Sequence, residues 1–205
     1  MTETPTLTAL ALNCTLQPSP TASSTQLLAD QILTALAEHG VEGSSVRVVD
    51  FDVKPGVQTD MGEGDAWPGL REQVLAADIV VLVTPTWMGQ HSSVAQRVLE
   101  RLDAELSETD EQGRPILYDK VALAGIVGNE DGAHHIAAIL FQGLNDVGFT
   151  IPAQGSVYWN GEAMQTVDYK DLDSTPDEVA ATISSAAANA AHLAAGLRGS
   201  PFPQS

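Results

Sequence analysis

Apolar residues in this chain fall into two kinds of run. Short, nearly continuous apolar stretches occupy Thr6–Asn13 (TLTALALN), Val46–Phe51, Ile79–Val83, Lys120–Gly128 (KVALAGIVG) and Thr150–Tyr158. Between them, apolar positions recur at helical spacing. Leu27, Leu28, Ile32, Leu33 and Leu36 form one such set, ending at His39-Gly40, and Trp67–Ala76 holds a second, with Pro68 in its first turn. Val94, Val98 and Leu102 follow Ser92 and Ser93, either of which can cap a helix. Ile136, Ile139, Leu140 and Leu144 lie within Gly132–Gly148, and Val179, Ile183, Ala187 and Ala190 within the Ala-rich Asp177–Leu197. Continuous β-branched runs read as strands buried on both faces, which belong to parallel sheets covered by helices. Five strands alternating with five helices predict a single α/β domain over residues 1–205, doubly wound around a parallel sheet. Alternation alone leaves the strand order open. Lys54–Asp65, Ala104–Asp119 and Asn160–Pro176 read as loops, and the last eight residues as a loose tail.

The stretch from Asp78 to Val94 (DIVVLVTPTWMGQHSSV) organises the rest. Its strand is expected to stop at Thr84-Pro85, where the missing N–H ends ladder pairing. A loop bearing Trp87, Met88 and Gly89 follows, and then a helix. Ligands of open α/β sheets bind at the carboxyl ends of strands, where this loop belongs.

Composition narrows the function. Nine basic against twenty-seven acidic residues give a net charge of −18. That disfavours nucleic acid and anionic membrane surfaces as partners. The acids are scattered rather than blocked, which fits a solvated surface better than a dedicated docking patch. No apolar run approaches the roughly 20 residues needed to span a bilayer. The N-terminus lacks the basic start and apolar core of a signal peptide, so a cytoplasmic protein is expected. A single Cys14 excludes a disulfide framework within the chain and a multi-cysteine metal site.

Three βα loops carry the chemistry, and all should emerge on one sheet edge. The first, NCTLQPSPTASST, gathers Ser19, Thr21, Ser23, Ser24 and Thr25 around the start of a helix. Hydroxyls, free N–H groups and the positive dipole end could hold a phosphate. No Lys or Arg occurs from Met1 to Val46, so this cradle would be charge-neutral. An ordinary Ser/Thr helix cap accounts for the same residues. In the second loop, Thr84–His91, Trp87 can lie against a flat heteroaromatic ring and Gly89 allows close approach of backbone amides. The third, GNEDGAHH, has Gly128 and Gly132 bracketing a turn whose backbone could face the ring's polar edge. Glu130 and Asp131 are acid/base candidates by type, yet suit turn and helix-start positions better. His134 and His135 lack the partners of a metal site.

Taken together, the hydroxyl loop ending Ser-Ser-Thr, the PTWMGQHSS run and the GNEDG turn resemble the flavodoxin-like NAD(P)H-dependent FMN reductase family over roughly Leu7 to Trp159. The resemblance implies a five-stranded parallel sheet in 2-1-3-4-5 order with FMN at its carboxyl edge. It implies that Thr15, Ser23, Ser24 and Thr25 hold the phosphate. Pro85, Thr86, Trp87, Met88 and Gly89 would flank the isoalloxazine ring, with Gly128, Asn129, Glu130, Asp131 and Gly132 facing its other side. The first loop is longer than the family's compact pattern, with Pro18 and Pro20 inserted. The implied activity is hydride transfer from NAD(P)H to the flavin and on to a small-molecule acceptor such as a quinone or another flavin, which requires no catalytic acid or base from the protein. A flavodoxin-like electron carrier docking on basic partners is the alternative. The loops Lys54–Asp65 and Asn160–Pro176, with Tyr158 and Trp159, would wall a nicotinamide pocket. That pocket would close alone or across a homodimer or tetramer interface built on the Ala-rich last helix. Rival motifs are missing: Gly62-Glu63-Gly64 lacks the third glycine of a dinucleotide fingerprint, and neither a P-loop nor a G-x-S-x-G elbow occurs.

Overall fold

A computed structural model describes residues 6–203. Its strands are β1 (Leu7–Asn13), β2 (Val41–Arg47), β3 (Ile79–Trp87), β4 (Gln90–His91), β5 (Val121–Gly128) and β6 (Ser156–Asn160). Its α-helices are α1 (Ser24–Ala37), α2 (Trp67–Ala76), α3 (Ser93–Leu102), α4 (Ala133–Asp146) and α5 (Asp177–Gly199). The sheet runs β2-β1-β3-β5-β6, with β4 paired to β3 off this path. The four long pairings are parallel, so the expected 2-1-3-4-5 order holds once the two-residue β4 is set aside.

Period-two alternation sorts the core onto the two faces of the sheet. Leu10, Leu12, Val80, Leu82, Ala122, Ala124 and Ile126 pack with α2, α3 and α4. Ala9, Ala11, Ile79, Val81, Val83, Val121 and Leu123 pack with α1 and α5. The alanines of α5 let it lie close to α1 and the sheet: Ala186, Ala187 and Ala190 are fully buried. That stripe is spent inside the molecule.

Several boundaries depart from expectation. The second strand is Val41–Arg47, not Val46–Phe51; Val48–Asp50 forms a 3-10 turn. β2 is an edge strand whose register, Leu7↔Val41 to Asn13↔Arg47, is set by β1. Its Glu42, Gly43, Ser44 and Ser45 are exposed, so no apolar run announces it. β3 continues past Pro85 to Trp87. Pairing with β1 ends at Asn13↔Val83, while Pro85 stands opposite Val127 of β5. Beyond β1 the strand has a neighbour on one side only, and a missing N–H is tolerated there. The fifth parallel strand shrinks to Ser156–Asn160, leaving Thr150 with a single bridge to Val121. In the segment expected to be loose, Phe202 donates its N–H to Asp119 Oδ1 at 2.7 Å and packs its ring on Tyr118 at 5.5 Å; residues 204–205 lie outside the described residues. No helix among the described residues is long and apolar enough to cross a membrane.

Candidate functional site

The first loop is built from the end of β1 outward. Asn13 is buried there; its Oδ1 accepts from the Thr15 N–H at 3.0 Å and its Nδ2 donates to Gln26 Oε1 at 2.8 Å. Those two bonds tie the loop to the first turn of α1. Ser23 is the N-cap and accepts from the Gln26 N–H at 3.4 Å, while its hydroxyl meets that of Thr25 at 2.6 Å. The first turn of α1 carries no acidic side chain, so its positive end is not neutralised from within. Two residues from distant parts of the chain touch this loop, one by its side chain and one by its backbone. Arg47 donates to the carbonyls of Gln17 and Thr21 at 3.3 and 2.8 Å. The backbone N–H of Lys170 donates to Ser24 Oγ at 3.3 Å. Both side-chain charges are engaged elsewhere: Arg47 on those carbonyls, and the Lys170 ammonium on Asp168 and Asp171.

The second loop is a tight hairpin. Thr86 pairs with His91 and Trp87 with Gln90, leaving Met88 and Gly89 as the two turn residues. Both have positive φ, 52° and 71°, the backbone that two-residue hairpins require. Glu130 braces this turn from the third loop. Its carboxylate accepts from the Met88 N–H at 2.8 Å and the Gly89 N–H at 3.2 Å. That occupation makes Glu130 a positioning carboxylate rather than a proton donor.

At Gly132 the third loop packs directly on the backbone of the second. Gly132 has φ 138°, and a Cβ there would lie 2.8 Å from Gly89 Cα. Gly132→Ala should therefore displace the hairpin and cost roughly 2–3 kcal/mol through clash and backbone strain. Urea unfolding checks this, and an unchanged midpoint would show that the two loops are not locked. Gly128 serves a different close approach from the one expected: a Cβ on it would sit 2.7 Å from Thr86 Cβ. Its missing side chain makes room for Thr86.

Together these loops line a cleft of about 520 Å³ at the carboxyl ends of β1, β3 and β5. Thr15, Ser23, Ser24, Thr25, Pro85, Thr86, Trp87, Gly128, Asn129 and Glu130 line it, as do Val127, Trp159, Met164, Asp168, Tyr169 and Lys170. Met88, Gly89, Asp131 and Gly132 do not. They shape the hairpin and the start of α4 behind the wall, with Met88 90% exposed. The loop Lys54–Asp65 contributes nothing to the lining, and Tyr158 turns away to meet His134 Nε2 at 3.0 Å. His135 Nε2 likewise meets Gln90 Oε1 at 3.2 Å, outside the cleft.

The wall that sequence reasoning described least is the segment from Met164 to Lys170. Buried Tyr169 anchors it by donating its hydroxyl to Gln31 Oε1 at 2.7 Å and by packing on the Trp159 ring at 5.5 Å. Burial pushes the Tyr169 phenol up from its ordinary value. Asn129 Nδ2 donates to Asp168 Oδ1 at 2.9 Å, linking this wall to the third loop. Lys170 Nζ lies between Asp168 and Asp171 at 2.7 and 2.8 Å. The Lys170 ammonium first, and then the Asn129 amide, hold the Asp168 carboxyl below its usual range against the opposing effect of burial. An aromatic inside an otherwise polar loop was the available signal for Tyr169.

The cleft thus has two chemically different ends. One offers hydroxyls, helix-start amides and a lysine; the other offers Trp87, Trp159, Pro85 and the backbone around Gly128. Such a lining suits a flat ring joined to an anion.

Comparison with known proteins agrees. The sequence profile of NADPH-dependent FMN reductases matches residues 8–163. The 8-demethyl-8-aminoriboflavin-5'-phosphate synthase of Streptomyces davaonensis is 34% identical over 208 residues, covering 96% of this chain and 80% of that protein. The crystal structure of RosB with bound 8-demethyl-8-formylriboflavin-5'-phosphate superposes with a TM-score of 0.86 at 33% identity, covering 96% of this chain and 82% of that one. A divalent metal cation transporter MntH of Mycobacterium bovis is 41% identical over 169 residues, 80% of this chain; the match spans only 25% of that relative. With its profile match running from β1 into the loop after β6 and its fold that of a flavodoxin-like flavoprotein, the chain belongs to the NADPH-dependent FMN reductase family.

Proposed function

We propose that this protein is an FMN-dependent NAD(P)H oxidoreductase that reduces a small-molecule acceptor, a quinone, a second flavin or a similar compound. The convergence of three βα loops on one two-ended cleft carries this reading. Thr15, Ser23, Ser24 and Thr25 would hold the 5'-phosphate with the first amides of α1. Pro85–Trp87 and Gly128–Glu130 would take opposite sides of the isoalloxazine, with Trp159 closing the end. When bound, FMN would accept a hydride from the nicotinamide and pass reducing equivalents to the acceptor. The protein's part is placement: Glu130 fixes the hairpin under Trp87, and the Asn129–Asp168 bond fixes the far wall. Trp87 at 55% exposure and Met164 at 97% rim the opening. We assign these exposed rings and chains to the nicotinamide, the acceptor or a second copy in a homodimer or tetramer.

A second reading has a specific observation behind it. At 33–34% identity over 96% of its length, this chain is similar to a protein whose name describes making an altered flavin phosphate. In that reading FMN is a substrate and leaves changed at its dimethylbenzene end.

One experiment separates the readings. Reconstituted protein is mixed anaerobically with NADH or NADPH, then with a quinone; a second portion is incubated in air with an amino-group donor, and the flavin is recovered from both for mass spectrometry. The oxidoreductase reading expects bleaching by the nucleotide alone, repeated recovery of colour with quinone, and FMN of unchanged mass. A flavin that stays yellow with both nucleotides but is bleached by a separate reductase protein would make the chain an electron carrier. A changed flavin mass would favour the second reading.

A further inference from the structure

Among the described residues, the carboxylates that line the cleft are those of Glu130 and Asp168. Glu130 is committed, its two oxygens accepting from the Met88 and Gly89 amides. Asp168 has capacity left. Its Oδ1 accepts from Asn129 Nδ2 at 2.9 Å and its Oδ2 from Lys170 Nζ at 2.7 Å. An ionised carboxylate can accept about four hydrogen bonds, and the Asp168 side chain is 48% exposed. It therefore offers an acceptor that is both aimed and accessible. The chain around it fixes where that acceptor stands. Asn129 follows Gly128 at the ring end of the cleft, whereas the Lys170 N–H bonds Ser24 Oγ at the anion end. Two residues of chain span at most about 7 Å, so Asp168 stands between the two ends.

We infer that the Asp168 carboxylate is a specificity-determining group that accepts a hydrogen bond from the ligand's polyol chain, the part that joins a flavin ring to its phosphate. The inference rests on the FMN reading and adds to it a residue beyond 163, where the family match ends. Polyol hydroxyls are donors that lose water on entering the cleft and need acceptors there. Asn129 and Lys170 already pin the Asp168 side chain, so little ordering remains to be done when the ligand binds. The Lys170 ammonium also offsets the charge of the carboxylate, which lets this acceptor stand near a phosphate without strong repulsion. The bond should be felt by FMN and by riboflavin, which share the polyol chain, and not by a flavin that lacks its hydroxyls.

The test compares Asp168→Ala with the wild type by fluorescence titration of three ligands: FMN, riboflavin, and a riboflavin analogue with a plain hydroxypentyl chain. The analogue keeps the ring and the chain length but lacks the inner hydroxyls. Asp168→Ala should weaken FMN and riboflavin by about ten- to thirtyfold, the lower part of the range for a bond to a charged group because this carboxylate is half exposed. The analogue should bind both proteins within about twofold. Removing a negative charge favours the FMN phosphate, so a purely Coulombic effect would have the opposite sign. Asp171→Ala takes the other carboxylate from Lys170, and Asp171 is not part of the cleft lining; it should leave riboflavin within about twofold. Unchanged riboflavin affinity in Asp168→Ala would overturn the inference. So would a loss shared equally by the analogue, which would reduce Asp168 to holding the wall, or a loss confined to FMN, which would place its effect at the phosphate. A riboflavin loss as large in Asp171→Ala would trace the effect to Lys170 and overturn it as well. Wild-type protein that takes up neither FMN nor riboflavin would overturn the FMN reading itself, and this inference with it.

Discussion

Arg101→Met should lower stability by about 3–5 kcal/mol, the usual loss when one partner of a buried ion pair is removed. Arg101 projects from α3 with its side chain wholly buried, and it meets an equally buried Asp65 carboxylate at 2.8 Å. Its remaining N–H groups donate to the carbonyls of Gln58 and Lys54 at 2.7–3.1 Å, and its guanidinium lies 5.5 Å from the Trp67 ring. A single side chain thus satisfies the inner polar groups of a long loop. The loop's other fixed point is Asp65, which accepts from the N–H groups of Lys54, Met61 and Trp67. Removing the cation strands a charge and two carbonyls at once. Adding Asp65→Asn to the variant should recover part of the loss, because the carboxylate charge then disappears while its Oδ1 can still accept. Urea unfolding of the three proteins checks both statements; a loss below about 1 kcal/mol for the single variant would contradict them.

The same pair predicts an acid response. Burial by itself pushes the Asp65 carboxyl up, but the Met61 amide, the Arg101 guanidinium and the amides of Trp67 and Lys54 outweigh it and hold it at about 2. A carboxyl lowered in the folded state stabilises the fold above its unfolded value, near 4, and that stability is lost as pH falls through the folded value. The decline should therefore run from about pH 4 to about pH 2, and Asp65→Asn should flatten it.

How much of this was legible in the sequence depends on whether the signal was local. Ile79–Val83 and Lys120–Gly128 read as doubly buried strands because both of their faces are apolar, and the structure confirms them. β2 was misplaced because an edge strand needs only its ladder: Glu42 to Ser45 face water, and β1 sets their register. The cleft followed the same rule. Ser23–Thr25, Pro85–Trp87 and Gly128–Glu130 each follow a readable strand, so topology alone brings them together. Met88, Gly89, Asp131 and Gly132 were grouped with the lining because they are contiguous with it. Their work is instead the positive-φ turn and the backbone contact that aim the lining residues. Lys54–Asp65 was expected to wall the site, but it is held against α3 by Arg101, and one buried arginine in an amphipathic helix pattern does not reveal its partner. Lys170 escaped notice because its link to Ser24 spans 146 residues.

The phosphate end should show the largest effect on binding. Ser24→Ala combined with Thr25→Ala should weaken FMN by roughly two to four decades if each lost hydrogen bond to the charged group is worth about 1.5–3 kcal/mol and the two add. The two hydroxyls start from different states. Thr25 is buried, and its hydroxyl already meets that of Ser23 at 2.6 Å, whereas Ser24 accepts from the Lys170 N–H at 3.3 Å. The double variant therefore breaks a Ser23–Thr25 pair and frees one link to the Lys170 wall, so binding and stability must be read separately. The Ser23 cap and the acid-free first turn of α1 survive the change, which should keep the helix in place and leave melting without ligand within a few degrees of wild type. Riboflavin, with no phosphate to lose, should bind the variant almost as it binds the wild type. Equal losses of FMN and riboflavin in the Ser24/Thr25 variant would place the phosphate elsewhere. The proposed orientation, with the anion on α1 and the ring between the hairpin and Gly128, would then have to be abandoned.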